Sequence, residues 1–277
     1  MSSIDFINIG LKQPDLVIPI TTGSHSVNCY VKNRDGEFLV KERNTSPRIA
    51  ILSHHLKVLA NQPFCPRLLF EKSLDTKHIF VFRWIEGKSY FLEKLPQKTM
   101  AQIIKAYLDF LKVINKKVTT HLAPPDIPTE LIQKIKSPYR FMIPDLEKIK
   151  KDLSYRPKLK IIHGDFHYKN ILIKNNKLQS FLDFECFRKG LPTEDLIRFV
   201  LTNAEQHQFF RTKYSVALLK FLISATPFSK KDWLYGLDVF ILNKYIRKLK
   251  KKNALTYLGL YRNTLLYRTL RHVIETS

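Results

Sequence analysis

The sequence HisGlyAspPheHisTyrLysAsn occupies residues 163–170, and AspPheGlu follows at residues 183–185, where an apolar segment ends. In this spacing, Asp165 precedes an asparagine by five positions and a second aspartate by eighteen. The pattern is typical of a phosphotransfer site, in which one carboxylate orients the attacking hydroxyl and the other two side chains bind magnesium. Either half alone occurs by chance in many chains, so the hypothesis rests on both halves in this order.

The residues between the two halves predict a β-hairpin. Residues 171–173 and 178–182 are apolar segments that favour strands, and the asparagines at 175–176 favour a tight turn between them. An antiparallel hairpin returns the chain to its starting point, so we expect Asp183 to lie beside Asn170. An amide oxygen and a carboxylate are hard ligands that suit Mg²⁺, with nucleotide phosphates completing its coordination.

The segment resembles the aminoglycoside phosphotransferase and choline kinase branch of the protein-kinase-like fold, whose pattern is HisGlyAsp, four residues, Asn, then AspPheGlu or AspTrp. The resemblance continues at residues 190–196, where GlyLeuProThrGluAspLeu matches the family's glycine-to-AspLeu stretch. It implies a two-lobed α+β fold, with an antiparallel sheet and a helix in the N-terminal lobe, a mainly helical C-terminal lobe, and ATP in the cleft. It also implies that Asp195, at the start of a helix, supports the catalytic loop.

The resemblance assigns roles to residues of the loop and hairpin. Asp165 is expected to be the catalytic residue that accepts or orients the proton of the acceptor hydroxyl, and Asn170 and Asp183 are expected to bind Mg²⁺. Lys169 is expected to neutralise the transferring phosphoryl group, as a loop cation does in related kinases. His167 is a second candidate for that task, although we expect its side chain to face solvent.

The N-terminal part of the chain predicts the nucleotide site. Leu16–Ile20 is apolar enough for a first strand, residues 21–28 supply a loop with one glycine, and residues 29–32 and 38–41 predict two further strands. Taken alone, the loop would be an ordinary Ser/Gly turn. In the family's arrangement its backbone N–H groups and hydroxyls face the phosphates. The expected nucleotide-binding residues here are Gly23, Ser24, Ser26 and Lys41.

IleGluGly at residues 85–87 resembles the family's hinge, whose backbone meets the adenine. Trp84 and Ile85, with Phe82, are candidate walls of the adenine pocket, although each of the three also suits the core of a strand. The expected domains are residues 1–84, the nucleotide-binding lobe; residues 85–89, the hinge; and residues 90–277, the catalytic and acceptor-binding lobe, all in one kinase-like unit.

One position departs from the family. A glutamate on the helix after the lysine strand normally pairs with that lysine, and this sequence aligns His55 with it. A neutral histidine can accept a hydrogen bond but supplies no opposite charge. Lys41 is then held by Glu42, by Glu71 or by the phosphates, or the protein is a catalytically silent pseudokinase scaffold.

Composition agrees with one folded unit of 277 residues, with 44% hydrophobic residues and three cysteines that form no CysXaaXaaCys pair. Neither a signal peptide nor an apolar run of the about 20 residues that span a bilayer is visible, so we expect a cytoplasmic protein with reduced thiols. Helical periodicity predicts helices at residues 49–60, 99–117, 130–136, 143–153, 194–204, 208–223, 230–253 and 254–274.

The charge of +23 is unevenly distributed. Residues 1–89 hold 12 Lys and Arg against 8 Asp and Glu, and residues 90–277 hold 35 against 16, a net +19. The densest run is TyrIleArgLysLeuLysLysLysAsn at residues 245–253. A site for a cationic acceptor is expected to contain carboxylates, so this excess favours an anionic one, although a lysine-rich surface from a biased composition explains it too.

These observations predict an ATP- and Mg²⁺-dependent phosphotransferase that acts on a hydroxyl of a small molecule or glycan. The favoured acceptor is anionic or membrane-associated, such as a lipopolysaccharide core sugar, with peripheral contact at the inner membrane face. A kinase for choline, an amino-alcohol or an aminoglycoside is the alternative, and the silent scaffold is another. Nucleic acid is not expected as a partner, because no recognised reading motif accompanies the charge.

Overall fold

The computed structural model describes residues 6–20, 27–118, 145–205, 212–249 and 254–277. The chain divides into two compact units, which we call the sheet unit and the helical unit. The sheet unit comprises Met1–Tyr90, Ala101–Thr120 and Asn170–Glu185, and the helical unit comprises Phe91–Met100, His121–Lys169 and Cys186–Ser277. The expected division at residues 85–89 stays a prediction.

The sheet unit contains a five-stranded antiparallel sheet in the order β1-β2-β3-β5-β4. The sequence predicted the first three of these strands, and the structure confirms them within three residues at each end. Their bounds are Leu16–Ile20 (β1), Val27–Asn33 (β2), Gly36–Asn44 (β3), Leu68–Ser73 (β4) and Lys77–Arg83 (β5).

The two faces of this sheet differ because side chains alternate along each strand. One face is apolar and packs into a core that also includes Ile9 and Leu11. The opposite face carries Asn28 on β2 and Lys41 and Arg43 on β3, and Asn28 pairs directly with Lys41 in the register. Polar side chains can therefore occupy this face without disturbing the core. The core members on the strands are Cys29, Val31, Phe38, Val40, Ile79 and Val81.

Two helices and a hairpin complete the sheet unit. Helix α1 (Pro47–Leu59) begins with proline, whose fixed φ suits a first helical turn, and α2 spans Gln97–Lys117, its first residues belonging to the helical unit. The hairpin consists of β7 (Ile171–Lys174) and β8 (Lys177–Phe181). Asn175 and Asn176 have φ of 50° and 57°. Two positive φ values give the turn the twist that antiparallel strands require, as the sequence predicted.

The helical unit contains a short two-stranded sheet and five of the helices within the described ranges. Strand β6 (Lys160–Ile162) pairs with β9 (Arg188–Gly190). Helix α6 contacts α3, α4 and α7, and Trp233 on α6 is fully buried. The helices are α3 (Leu146–Leu153), α4 (Pro192–Glu205), α5 (Thr212–Ala225), α6 (Lys230–Leu249) and α7 (Ala254–Thr276).

Several expectations lie outside the described residues. They are the phosphate-loop residues Gly23, Ser24 and Ser26, the helix at residues 130–136, and residues 250–253 of the basic run. Among the helices that the structure describes, none is both long and apolar enough to cross a membrane.

Candidate active site

The loop that follows β6 is shaped by a glycine. Gly164 has φ +78°, a value that residues with a side chain rarely adopt. A Cβ at this position would lie 1.9 Å from the carbonyl oxygen of Cys186. Glycine therefore permits both the backbone turn and the close approach of the chain on the other side of the β6–β9 pair. The consequence is that Asp165 leaves the strand in a fixed direction.

Asp195 near the start of α4 holds the same loop from below. Its two carboxylate oxygens accept the backbone N–H groups of His163, at 2.8 Å, and Gly164, at 3.0 Å. Asp195 is buried, so each lost bond would leave a buried N–H without this acceptor. The prediction that Asp195 supports the loop is confirmed.

The carboxylate of Asp165 contacts two basic side chains. Nη1 of Arg198 lies 3.2 Å from Oδ1, and Nε2 of His167 lies 3.3 Å from Oδ2. Arg198 lies on α4 with its guanidinium 5.5 Å from the ring centre of Phe240. The carboxylate is thus oriented from both oxygens, which is what a group that must meet one hydroxyl proton requires.

His167 does not face solvent as we expected. Its side chain is 15% exposed and lies against Asp165. Nδ1 of the ring accepts the backbone N–H of Lys169 at 3.2 Å, so the ring proton lies on Nε2 and points to Asp165 even when the ring is neutral. The Lys169 side chain, in contrast, is exposed, and its role toward the phosphoryl group stays a prediction.

Opposing effects act on the pKa of the Asp165 carboxyl. Burial works to raise the pKa, whereas the hydrogen bond from His167 and the charges of His167, Arg198 and His163 lower it, and the net pKa lies below its ordinary value. Asp165 is therefore ionised near neutral pH, in the form that accepts a proton.

The hairpin of the sheet unit brings together the two expected metal ligands. The backbone N–H of Leu182 donates to the carbonyl oxygen of Asn170 at 2.8 Å, which puts Asp183 beside Asn170, as predicted. Asp183 has φ +59°. This backbone conformation is unfavourable for any residue with a side chain, and such residues are concentrated at functional sites. The backbone therefore adopts an unfavourable conformation at the residue that carries this carboxylate, at the end of β8.

Oxygen atoms at this position suit a divalent cation. Asn170 and Asp183 supply an amide oxygen and a carboxylate, which are the ligands that Mg²⁺ prefers. Within the described residues no three His, Cys, Asp or Glu side chains cluster as a self-contained metal site. A cation held by this pair consequently needs further oxygens, and nucleotide phosphates provide them. The residues present fit a nucleotide-bound magnesium ion.

Lys41 faces acidic residues of the hairpin segment. Burial lowers the pKa of its ammonium; the charge of Asp183 raises it, that of Arg43 lowers it and that of Glu185 raises it, and the net pKa is lowered. The structure therefore brings Lys41 into the electrostatic field of Asp183, within the same unit as Asn170.

The carboxylates that we expected to hold Lys41 have other partners. Glu42 pairs with Lys77 at 2.7 Å, and Glu71 binds Lys57 and the hydroxyl of Ser53, each at 2.6 Å. His55 is fully buried, and burial, followed by the charge of His54, lowers its pKa to about 4. His55 is therefore neutral near pH 7, and Asp183 and Glu185 supply the negative charge near Lys41.

The segment after β5 contains the expected adenine wall. Trp84 is half-buried, and its ring meets that of Tyr30 edge-on at 4.8 Å on the face that carries Lys41. Ile85 is half-buried, and Lys88 and Ile173 exchange two backbone hydrogen bonds of 3.0 and 2.9 Å. The roles of Trp84 and Ile85 toward adenine stay predictions.

Sequence reasoning missed two arginines. Arg198 follows Asp195 by three positions, so the helical period puts both on the side of α4 that faces the loop. Arg43 follows Lys41 by two positions and so shares its face of β3. The spacing thus indicated the face on which each arginine lies, but it did not identify the carboxylate that each arginine contacts.

A family comparison gives an independent result. The model of a phosphotransferase enzyme family matches residues 17–225, a range that contains Lys41, Asp165, Asn170 and Asp183. No curated protein matches the sequence.

Solved structures give the same fold at low sequence identity. A thermostable mutant of aminoglycoside phosphotransferase APH(4)-Ia, in complex with AMP-PNP and hygromycin B, superposes with a TM-score of 0.67 at 12% identity, over 97% of this chain and 99% of that one. Spectinomycin phosphotransferase APH(9)-Ia, in complex with ADP and spectinomycin, gives 0.61 at 13% identity, over 95% and 92%.

A macrolide 2'-phosphotransferase from Brachybacterium faecium gives a TM-score of 0.64 at 12% identity, over 92% of this chain and 93% of that one. At such identities the likeness concerns the fold. The fold is the expected α+β, protein-kinase-like one, with an antiparallel sheet in the N-terminal part and helices in the C-terminal part.

Proposed function

The chain belongs to the phosphotransferase enzyme family, and from that premise we propose that it transfers the γ-phosphoryl group of ATP to a hydroxyl of a small-molecule or glycan acceptor. The acceptor oxygen bonds to the γ-phosphorus while the bond to the bridging oxygen breaks, and ADP leaves with that electron pair. The hydroxyl proton goes to Asp165. Atoms and charge balance without a further reactant.

The observation that carries this proposal is the double anchoring of the Asp165 carboxylate. Arg198 and His167 hold its two oxygens at 3.2 and 3.3 Å, and Asp195 holds the loop backbone behind it. This anchoring fixes the direction of the carboxylate. A base that must meet one proton gains rate from it.

Residues of the sheet unit provide the nucleotide side of the reaction in this proposal. Asn170 and Asp183 would hold Mg²⁺, which would neutralise charge on the nucleotide phosphates. The ammonium of Lys41 binds phosphate oxygens, and Trp84 and Ile85 contact the adenine. Gly23, Ser24 and Ser26 cover the phosphates, and Lys169 contacts the transferring group.

The acceptor in this proposal carries a negative charge, as an acidic or phosphorylated sugar does. An acceptor hydroxyl within hydrogen-bonding distance of Asp165 comes close to Arg198 and His167, which repel ammonium groups and attract carboxylates or phosphates. The net +19 of residues 90–277 acts in the same direction. A cytoplasmic location with peripheral contact at an anionic membrane face agrees with this charge and stays a prediction.

A cationic acceptor is the second candidate. Two of the similar structures contain hygromycin B and spectinomycin, so the fold accommodates aminoglycoside-type acceptors elsewhere. A choline, amino-alcohol or aminoglycoside kinase would require carboxylates near the acceptor. A catalytically silent scaffold is a third candidate, prompted by the neutral His55.

The test is transfer of labelled γ-phosphate from MgATP into a bacterial extract separated into glycolipid, soluble acidic sugar and amine pools. The expected result is label in an acidic pool with wild-type protein and none with Asp165→Asn. The matched control is Asp109→Asn, which alters an exposed aspartate paired with Lys105 and Lys112 and should transfer as wild type does.

Label in the amine pool would replace the anionic acceptor by the cationic one. MgATP binding without wild-type transfer into any pool would overturn the enzymatic proposal in favour of the scaffold.

A further inference from the structure

Arg43 is fixed on the functional face of the sheet. Its Nη1 donates to Oδ1 of Asn28 at 3.0 Å and to the carbonyl oxygen of Glu42 at 2.9 Å. The side chain is 9% exposed. A guanidinium held by this many partners is a rigid point of attachment, since its fork has little freedom left to lose.

Glu185 attaches the hairpin segment to that point. Its Oε1 accepts from Nε of Arg43 at 2.8 Å and from Nη2 at 2.6 Å. Glu185 lies in the single 3₁₀ turn Phe184–Cys186, which begins directly after Asp183. Fixing Glu185 therefore fixes the turn that sets the direction of the Asp183 carboxylate.

The turn also needs an external restraint. Asp183 has φ +59°, which a free chain abandons easily, and the bond between Leu182 and Asn170 restrains only the residue before it. After it, the pairing of Glu185 with Arg43 adds a polar restraint to the packing of the buried Phe184 ring against Phe110. The two together enclose Asp183 between fixed residues.

Helix α1 contributes no negative charge here. None of its residues, Pro47–Leu59, is acidic. Among the residues that the structure describes, the charges that shift the pKa of Lys41 are those of Asp183, Arg43 and Glu185. Two cations on β3 thus interact with two carboxylates of one short segment. All four residues belong to the sheet unit.

We propose that Arg43 and Glu185 form a positioning pair, which holds the Asp183 turn in the conformation that a nucleotide-bound divalent cation requires, without a carboxylate from α1. The proposal rests on the proposed function for the identity of that ligand. The pair acts through Asp183 and touches no reacting atom. Groups that orient metal ligands commonly affect metal affinity about 10- to 100-fold when they are changed.

The experiment compares AMP-PNP binding by calorimetry with Mg²⁺ and with EDTA for Arg43→Lys, Glu185→Gln and the double variant. Lysine keeps the charge but has no fork, and glutamine keeps the size but not the charge. The ratio of the two dissociation constants, the magnesium gain, should fall about tenfold in each single variant. The constant in EDTA should change less than about twofold, because Lys41 is intact.

The double variant should lose no more than the worse single variant, since one pair is removed in all three. The matched control is Glu42→Gln, on the same strand but the opposite face, which breaks the similarly buried pair with Lys77. It should keep the wild-type magnesium gain. Melting temperatures of all variants identify any general loss of structure.

Variants with the wild-type magnesium gain would overturn the positioning pair alone. Parallel losses with and without Mg²⁺, accompanied by lower melting temperatures, would overturn it in favour of a purely structural pair. Wild-type protein without any magnesium-dependent nucleotide affinity would overturn the proposed function as well, so the two failures are distinguishable.

Discussion

Arg198 donates a hydrogen bond to Asp165 across 3.2 Å, from the second turn of α4 to the carboxylate of the loop after β6. The pair is partly buried, with 18% and 27% of the side chains exposed, so solvent screens the attraction only in part. An arginine at this position both aims the carboxylate and keeps it ionised. These two effects can be separated by substitution.

Arg198→Gln should lower kcat about tenfold and move the acid limb of the kcat/KM profile to higher pH. Arg198 lowers the pKa of Asp165, so its removal raises that pKa, and the base is protonated at higher pH. Arg198→Lys keeps the charge and should shift the limb less. Coincident profiles for all three proteins would contradict a direct effect of Arg198 on Asp165.

Gly164→Ala should destabilise the protein by more than the about 1–2 kcal/mol that a positive φ alone costs a residue with a side chain. A Cβ at Gly164 meets the Cys186 carbonyl oxygen at 1.9 Å, so backbone must move as well. Gly10→Ala is the matched control, because φ is +85° and the nearest side chain, Phe70, lies 3.9 Å away. Chemical unfolding measures the free energy of unfolding of both variants. Equal losses of stability would show that the close approach to Cys186 adds nothing to the effect.

Lys41→Met should lower kcat/KM for ATP about 100-fold, because under the proposed function the cation that binds the phosphates is lost and the carboxylates of Asp183 and Glu185 lose its charge. Lys32→Met is the control: Lys32 lies on the same face of the sheet but is 54% exposed, in a pair with Glu37. Steady-state kinetics over a range of ATP concentrations measure the effect. A Lys41→Met enzyme with wild-type kcat/KM would remove this residue from the nucleotide site.

Asp238 should make the helical unit less stable as pH rises from about 4 to about 7. Burial, and to a smaller extent Asp152, raises its pKa to about 7 although Arg271 and Tyr267 oppose the shift. Arg271 is shared with Asp152 and Glu275, so one guanidinium faces three carboxylates. A folded carboxyl with a raised pKa holds its proton longer than the unfolded one, and the stability it contributes at low pH is lost as pH passes the folded value.

The measurement is the free energy of unfolding of wild type and Asp238→Asn between pH 4 and pH 8. With rising pH, the free energy of unfolding of wild type should fall relative to that of Asp238→Asn, because asparagine does not titrate. A difference that is constant with pH would mean that Asp238 is ionised throughout.

The parts of the site that were predicted correctly from periodicity and turn chemistry alone are local. The β7–β8 hairpin joins Asn170 to Asp183 through a turn of two asparagines, and its two strands are neighbours in the chain. Asp195 was found from a family pattern, and its bonds cross 31 and 32 residues. A short contact follows from periodicity and turn chemistry alone, and a longer one followed here from a known pattern.

The parts that were missed are choices among equivalent partners. Arg43 and Glu185 are 142 residues apart, and Glu42 and Glu71 were nearer candidates for a cation of β3. Glu42 points to the opposite face of its strand, and Glu71 is taken by Lys57 and Ser53. His167 was expected in solvent, and its contact with Asp165 depends on the direction of its side chain. Such choices depend on the direction of each side chain, which composition and spacing do not contain.

The division of the chain into units has a consequence for synthesis on the ribosome. The sheet unit takes its last segment from Asn170–Glu185, so its five strands and most of α2 emerge long before the residues that complete it. Phe110 on α2 packs against Phe64, made earlier, and against Phe184, made later. Contacts between distant residues form late in folding. A nascent chain that ends before Phe184 therefore exposes apolar surface that this residue later covers, and the sheet unit is complete only when the chain has grown past residues 163–170.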